Sequence, residues 1–156
     1  MQHLLFVCLG NICRSPLAAA AFRVEAARRG MKGVHVDSAA VSSWHLREKP
    51  DGRALAAGLA RGLDISDHRS RLIGPGDFER SDMILALDEE VHRSLVNMAD
   101  HQCVNKIRLL MDFAESTTER EVPTPYFGDE ADFELVLDLI EDGVRGLAGY
   151  LISLRA

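Results

Sequence analysis

Long apolar runs are absent from this 156-residue chain, and so are basic ones. No apolar stretch approaches the ~18 residues that a membrane-spanning helix needs, so no span is expected. Polar groups interrupt the first residues too early for an export signal. No Lys/Arg run exceeds two residues and the formal net charge is -6, which argues against a nucleic-acid partner. Cysteine is scarce: three residues, an odd number, with no zinc-site spacing among cysteines and histidines. That count fits a reducing cytoplasm, and neither a metal nor another cofactor is expected. Internal repeats, low-complexity tracts and linkers are missing too. What is left, 47 % hydrophobic and 27 % charged, describes a single globular domain over residues 1–156 with a real core.

Strand-like apolar runs lie at 3–8, 33–37, 82–87 and 106–110, and helical patterns at about 16–29, 52–61, 88–98 and 131–154. Gly30 and Gly62 stand just past helix ends, where C-caps occur. The last helix is the clearest, with Phe133, Val136, Leu137, Ile140, Val144, Leu147, Leu151 and Leu154 at helical spacing. This alternation predicts an α/β fold: one open, parallel, four-stranded sheet with helices on both faces. Ligands of such sheets bind beyond the carboxyl ends of the strands. The polar, Pro-rich stretch 112–129 reads as a functional loop.

The densest chemistry sits at Cys8-Leu9-Gly10-Asn11-Ile12-Cys13-Arg14-Ser15-Pro16. An apolar strand runs into it, and a helix follows that is expected to begin at Pro16. Strand, loop and helix aim backbone N–H groups and a positive helix end at one point, which suits a phosphate dianion. Phosphate-binding positions are therefore Leu9, Gly10, Asn11, Ile12, Cys13 and Arg14. Arg14 brings a planar fork for two phosphate oxygens. Cys8, at the strand end, is the candidate nucleophile, its thiolate favoured by the same positive field. Asn11 tolerates the left-handed turn such a loop needs. Ser15 either donates to the Cys8 sulfur or caps the helix. The bare Cys-x5-Arg-Ser pattern arises by chance in on the order of one chain in a hundred. The strand and helix around it make the signal much more specific.

These residues resemble the low-molecular-weight protein tyrosine phosphatases, whose opening loop has the form Cys-x-Gly-Asn-x-Cys-Arg-Ser. The likeness extends along nearly the whole chain. It takes in Asp37-Ser38-Ala39-Ala40, Trp44-His45, Pro50-Asp51-Gly52-Arg53, Asp64-Ile65-Ser66-Asp67-His68, Asp82-Met83-Ile84-Leu85-Ala86-Leu87-Asp88, and Val122-Pro123 with Pro125-Tyr126-Phe127-Gly128. Other cysteine phosphatases usually carry His before the cysteine, where Val7 stands here. The resemblance implies a small cytosolic phosphatase that acts through phosphocysteine and releases inorganic phosphate. Its substrate would be a phosphotyrosine-containing protein or an aryl phosphate.

One position departs from the family. The general acid belongs to an Asp-Pro-Tyr segment, and the matching residue here is Thr124. A hydroxyl cannot donate a proton as a carboxylic acid does, and general acid catalysis is worth ~10²–10⁴-fold. Asp129, Glu130 and Glu121 are the nearby carboxylates left to replace it, although Asp129 reads better as the cap of the last helix. Trp44, Leu46, Tyr126 and Phe127 are the expected substrate walls. Cys13 either packs as a buried hydrophobe or bridges reversibly to Cys8, and the resemblance lends weight to the bridge. The resemblance also gives His68 a hydrogen bond to the phosphate loop. Asp88 reads as a helix cap, the Asp51–Arg53 pair as a helix start, and Cys103 as chemically idle. The rivals to a phosphatase are a weakly active pseudo-phosphatase that binds phosphotyrosine or oxyanions, an arsenate reductase, and a phosphocysteine carrier. The reductase needs further relay thiols, and Arg14 and Ser15 count against the carrier.

Overall fold

Four parallel strands make the sheet, in the order β2-β1-β3-β4. The computed structural model describes residues 2–126 and 128–155. The strands are β1 (Gln2–Cys8), β2 (Val34–Ala40), β3 (Met83–Ala86) and β4 (Ile107–Leu109). The helices are α1 (Arg14–Arg28), α2 (Gly52–Leu59), α3 (Pro75–Arg80), α4 (Glu89–Met98) and α5 (Glu130–Arg155), and short 3-10 turns cover His101–Lys106 and Leu110–Phe113. Parallel strands need crossovers, and α1 supplies the first, between β1 and β2.

Strand alternation divides the core into two layers. Leu4, Phe6 and Cys8 of β1 face Leu17, Phe22, Phe133, Leu137 and Ile140, from α1 and α5. Leu5 and Val7 face the opposite way, onto Phe78, Val91, Leu95 and Cys103. Helices therefore cover both faces, as the alternating pattern predicts. Cys103, expected to be an idle residue of a polar stretch, is a core residue of the second layer. In α1 the run from Leu17 to Phe22 is wholly buried, because the helix lies between the sheet and α5. A β-carbon on Gly146 would lie 1.6 Å from the Phe113 carbonyl oxygen, so α5 meets that turn at backbone contact.

Three details differ from the sequence expectation. Helix α1 begins at Arg14, so Pro16 occupies its third position. Proline is tolerated there because the first four N–H groups of a helix have no intrahelical partner. Strand β2 continues to Ala40, since Ser38, Ala39 and Ala40 pair with Phe6, Val7 and Cys8. Leu154 is exposed, because α5 outruns the core by its last turn. Gly30 and Gly62 have φ of 68° and 79°, the left-handed values their places after helix ends require. The chain passes from β1 to β2 on one side and then crosses from β2 to β3 on the other. The crevice at their carboxyl ends is the switch point where such sheets bind ligands, and Cys8 opens onto it.

Candidate active site

Every carbonyl from Cys8 to Ile12 is held by a donor outside the loop. The Cys8 oxygen accepts from Val41 N (3.1 Å), and that of Leu9 from Ser42 N (3.1 Å) and its hydroxyl (2.9 Å). The Gly10 oxygen accepts from Ser70 Oγ (3.1 Å), that of Asn11 from His68 Nε2 (2.8 Å), and that of Ile12 from Asp51 N (2.9 Å). In a trans peptide the carbonyl and the following N–H point in opposite directions. Five carbonyls turned outward therefore turn the N–H groups of residues 9–13 toward a common centre. A carbonyl only accepts, so His68 Nε2 carries the proton. Burial lowers the His68 pKa, which favours that neutral tautomer.

Cys8 Sγ lies at the floor of this ring. It accepts from Asn11 N at 3.2 Å and lies 3.0 Å from Ser15 Oγ. Ser15 Oγ itself accepts from Asn11 Nδ2 at 2.7 Å, which leaves its own proton to donate to sulfur. Asn11 is fully buried with φ of 59°. Its Nδ2 also donates to Ser38 Oγ (3.0 Å), and its Oδ1 accepts from Arg71 N (3.1 Å).

Arg14 is buried, and its Nη1 donates to Asp88 Oδ2 (2.7 Å) and the Val122 carbonyl (2.8 Å). Nε and Nη2, the edge that matches two phosphate oxygens, bond to none of the described residues. Asp88 does cap α4, accepting from Val91 N at 2.7 Å through its other oxygen, so one carboxylate orients Arg14 and starts a helix. The pairing with Arg14 was not legible, since 74 residues separate the two.

Above the sulfur is a cavity of about 370 Å³ lined by residues 8–14, Trp44, His45, Thr124 and Tyr126. Trp44 is 73 % exposed, with its ring available to a ligand. Leu46, expected beside it, does not line the cavity. Its loop turns back through a Leu46 N to Ser43 O bond (3.2 Å), and His45 takes that place. Phe127 lies outside the described residues.

No Asp or Glu is among the described residues that line this cavity. Thr124 Oγ1 accepts from Tyr126 N at 3.4 Å. The Asp129 and Asp132 carboxylates each accept from the other's backbone N–H at the start of α5, and Glu121 accepts from Glu89 N (3.0 Å) at the start of α4. Glu130, the first residue of α5, faces a separate groove beside α2. None of the three carboxylates named as replacements is among the described residues that line this cavity.

Asp51 and Arg53 do more than start α2. Asp51 caps it and also binds Ile12 O, while Arg53 donates to the carbonyls of Tyr126 (2.6 Å) and Gly128 (3.2 Å). Their mutual ion pair (2.9 Å) joins the phosphate loop to the Thr124 segment, and it holds the Asp51 carboxyl below the usual carboxylate range. Cys13, at the N-cap of α1, is buried, and its thiol is pushed up to about 12 by burial and then by Asp51. Cys8 and Cys13 are free thiols. Among the described residues no cluster of three His, Cys, Asp or Glu is placed to hold a metal. Among them, too, no helix is long and apolar enough to cross a membrane.

A buried sulfur at the focus of an oxyanion-sized ring of amides, on a doubly wound parallel sheet, is the arrangement on which cysteine-based phosphatases are built. The family described as low molecular weight phosphotyrosine protein phosphatase matches residues 3–155, and the chain belongs to it. The chain is 36 % identical over 148 residues to the Bacillus subtilis low molecular weight protein-tyrosine-phosphatase YfkJ, covering 94 % of each. A crystal structure of a protein tyrosine phosphatase from Entamoeba histolytica, with Hepes in its active site, superposes with a TM-score of 0.96 at 34 % identity over the whole of both chains. The crystal structure of a Drosophila arginine phosphatase superposes with a TM-score of 0.88 at 27 % identity, covering 97 % of this chain and 98 % of the other.

Proposed function

We propose that this chain hydrolyses aryl phosphate monoesters, phosphotyrosine in proteins foremost, through a phosphocysteine intermediate. The observation that carries the reading is the outward turn of five successive carbonyls around a sulfur that two donors hold. In this reading the Cys8 thiolate attacks phosphorus. The inward amides and the free edge of Arg14 bind the equatorial oxygens, whose charge they stabilise most in the transition state. The S–P bond forms as the P–O bond to the phenol breaks. Water then displaces the sulfur and inorganic phosphate leaves. Ser15 stabilises the thiolate at both ends of the cycle, and Trp44 and Tyr126 flank the substrate ring.

Aryl esters suit the cavity better than phosphoarginine, the substrate that the Drosophila relative's name suggests. Among the described lining residues there is no carboxylate to receive a guanidinium, and Trp44 and Tyr126 make the wall aromatic. Cys103 packs in the layer opposite that of Cys8, so it supports no thiol relay of the kind an arsenate reductase uses. Thr124 favours a second reading, a module that captures phosphotyrosine and turns it over poorly. Release of nitrophenol from an activated aryl phosphate identifies the hydrolase, and capture without release identifies the module. Cys8→Ser is expected to abolish turnover, abolish trapping of labelled phosphocysteine on acid quench, and keep inorganic phosphate binding. Substantial activity in that variant removes Cys8 as the nucleophile.

A further inference from the structure

Two titratable residues line the cavity without a part in the scheme above, the Cys13 thiol, which burial keeps protonated, and the imidazole of His45. His45 lies so close to the phosphate loop that a β-carbon on Gly10 would sit 2.9 Å from its Cδ2 and 3.8 Å from its Nε2. A side chain at position 10 would therefore have to displace the His45 ring. The other edge of the ring is committed: Nδ1 lies 3.0 Å from Glu48 Oε2. A carboxylate only accepts, so Nδ1 carries a proton and Nε2 is the nitrogen left for a ligand. Nε2 belongs to the edge set against Gly10, and His45 is one of the residues that line the cavity. The Tyr126 ring lies 5.8 Å away, centroid to centroid. The imidazole therefore stands between the phosphate loop and the aromatic wall of the cavity.

We propose that His45 is the general acid and base of this enzyme, oriented by Glu48, in place of the carboxylic acid that Thr124 lacks. The inference rests on the phosphocysteine reading and deepens it. In the first step the Cys8 thiolate forms the S–P bond. The P–O bond breaks, and the leaving oxygen takes the proton from Nε2 of the imidazolium. In the second, the neutral Nε2 takes a proton from water as its oxygen bonds to phosphorus and the S–P bond breaks, which restores thiolate and imidazolium. The titratable and charged groups around His45 are Glu48 from its own loop, Cys8, Cys13 and Arg14 from the phosphate loop, and Tyr126 with Arg53 beside it.

The test is kcat and kcat/KM for a series of aryl phosphates, from activated nitrophenyl to phenyl phosphate, across pH, for the parent and His45→Gln. Inhibition by inorganic phosphate checks that the loop remains formed, and His45→Ala serves as a second variant. The expected loss is graded by leaving group, roughly 10²-fold for phenyl phosphate and much smaller for the activated ester. The fall of the phenyl phosphate rate with rising pH should disappear in the variant. A loss of equal size for every ester, or none, overturns the proposal and leaves His45 as part of the wall. Phosphocysteine trapped from the parent and absent in Cys8→Ser upholds the phosphatase reading whichever way His45 behaves.

Discussion

At the scale of single residues, Asn11 and Thr124 decide the most. Asn11 combines a left-handed backbone with a side chain that donates twice and accepts once, all in the buried shell behind the sulfur. Aspartate tolerates the backbone but lacks the donors, and alanine lacks both. Thr124 stands at the cavity mouth without a transferable proton. Thr124→Asp should raise phenyl phosphate turnover by roughly 10²-fold when His45 is already Gln, and by much less in the parent, because two acids then compete for one proton transfer. Steady-state rates of the four combinations check this. Equal gains in both backgrounds would mean that the two positions do not share a role.

At the scale of elements, the site is a set of loops that follow β1, β2 and β4 and are tied together by side chains. Arg53, on the first turn of α2, is the main tie to the Thr124 segment, through the Tyr126 and Gly128 carbonyls and a face-on approach to Phe133 at 5.1 Å. Arg53→Ala should free Tyr126 as a wall while leaving the amide ring intact. The expected outcome is about a tenfold loss in kcat/KM for phosphotyrosine, with little change in inhibition by inorganic phosphate. Equal weakening of both would show that Arg53 supports the phosphate loop as well.

At the scale of the whole molecule, an ion cluster on the second layer joins distant parts. Arg71 donates its backbone N–H to Asn11 and its guanidinium to Asp77 (3.0 Å) and Asp37 (2.9 Å), and Asp77 also accepts from Gly74 N (2.8 Å) at the start of α3. Burial pushes the Asp77 carboxyl up, but the Arg71 hydrogen bonds outweigh it and hold the group below its ordinary value. A depressed carboxylate pKa contributes stability that is complete above the unfolded value of about 3.9 and is lost as pH falls through the lower folded value. Asp77→Asn should therefore cost about 2 kcal/mol at neutral pH. Its gap from the parent should narrow below about pH 3. Urea midpoints at the two pH values measure it, and a gap independent of pH would assign the cost to packing.

The sequence by itself determined what depends on neighbours along the chain. Hydrophobic periodicity marked the four strands and four of the five helices, and the unbroken run from Cys8 to Ser15 marked the phosphate loop. Gly30 and Gly62 announced their caps because a left-handed residue is a local requirement. Tertiary structure decided what depends on separation in space. Asp88 orients Arg14 across 74 residues, Arg53 reaches a carbonyl 73 residues away, and His68 meets Asn11 across 57. Helix α3 was missed because its six residues are too few to show a period. His45 lines the cavity where the adjacent Leu46 was expected. In a loop, side-chain direction follows no period, and only the contact with Gly10 and the bond to Glu48 turn the imidazole inward.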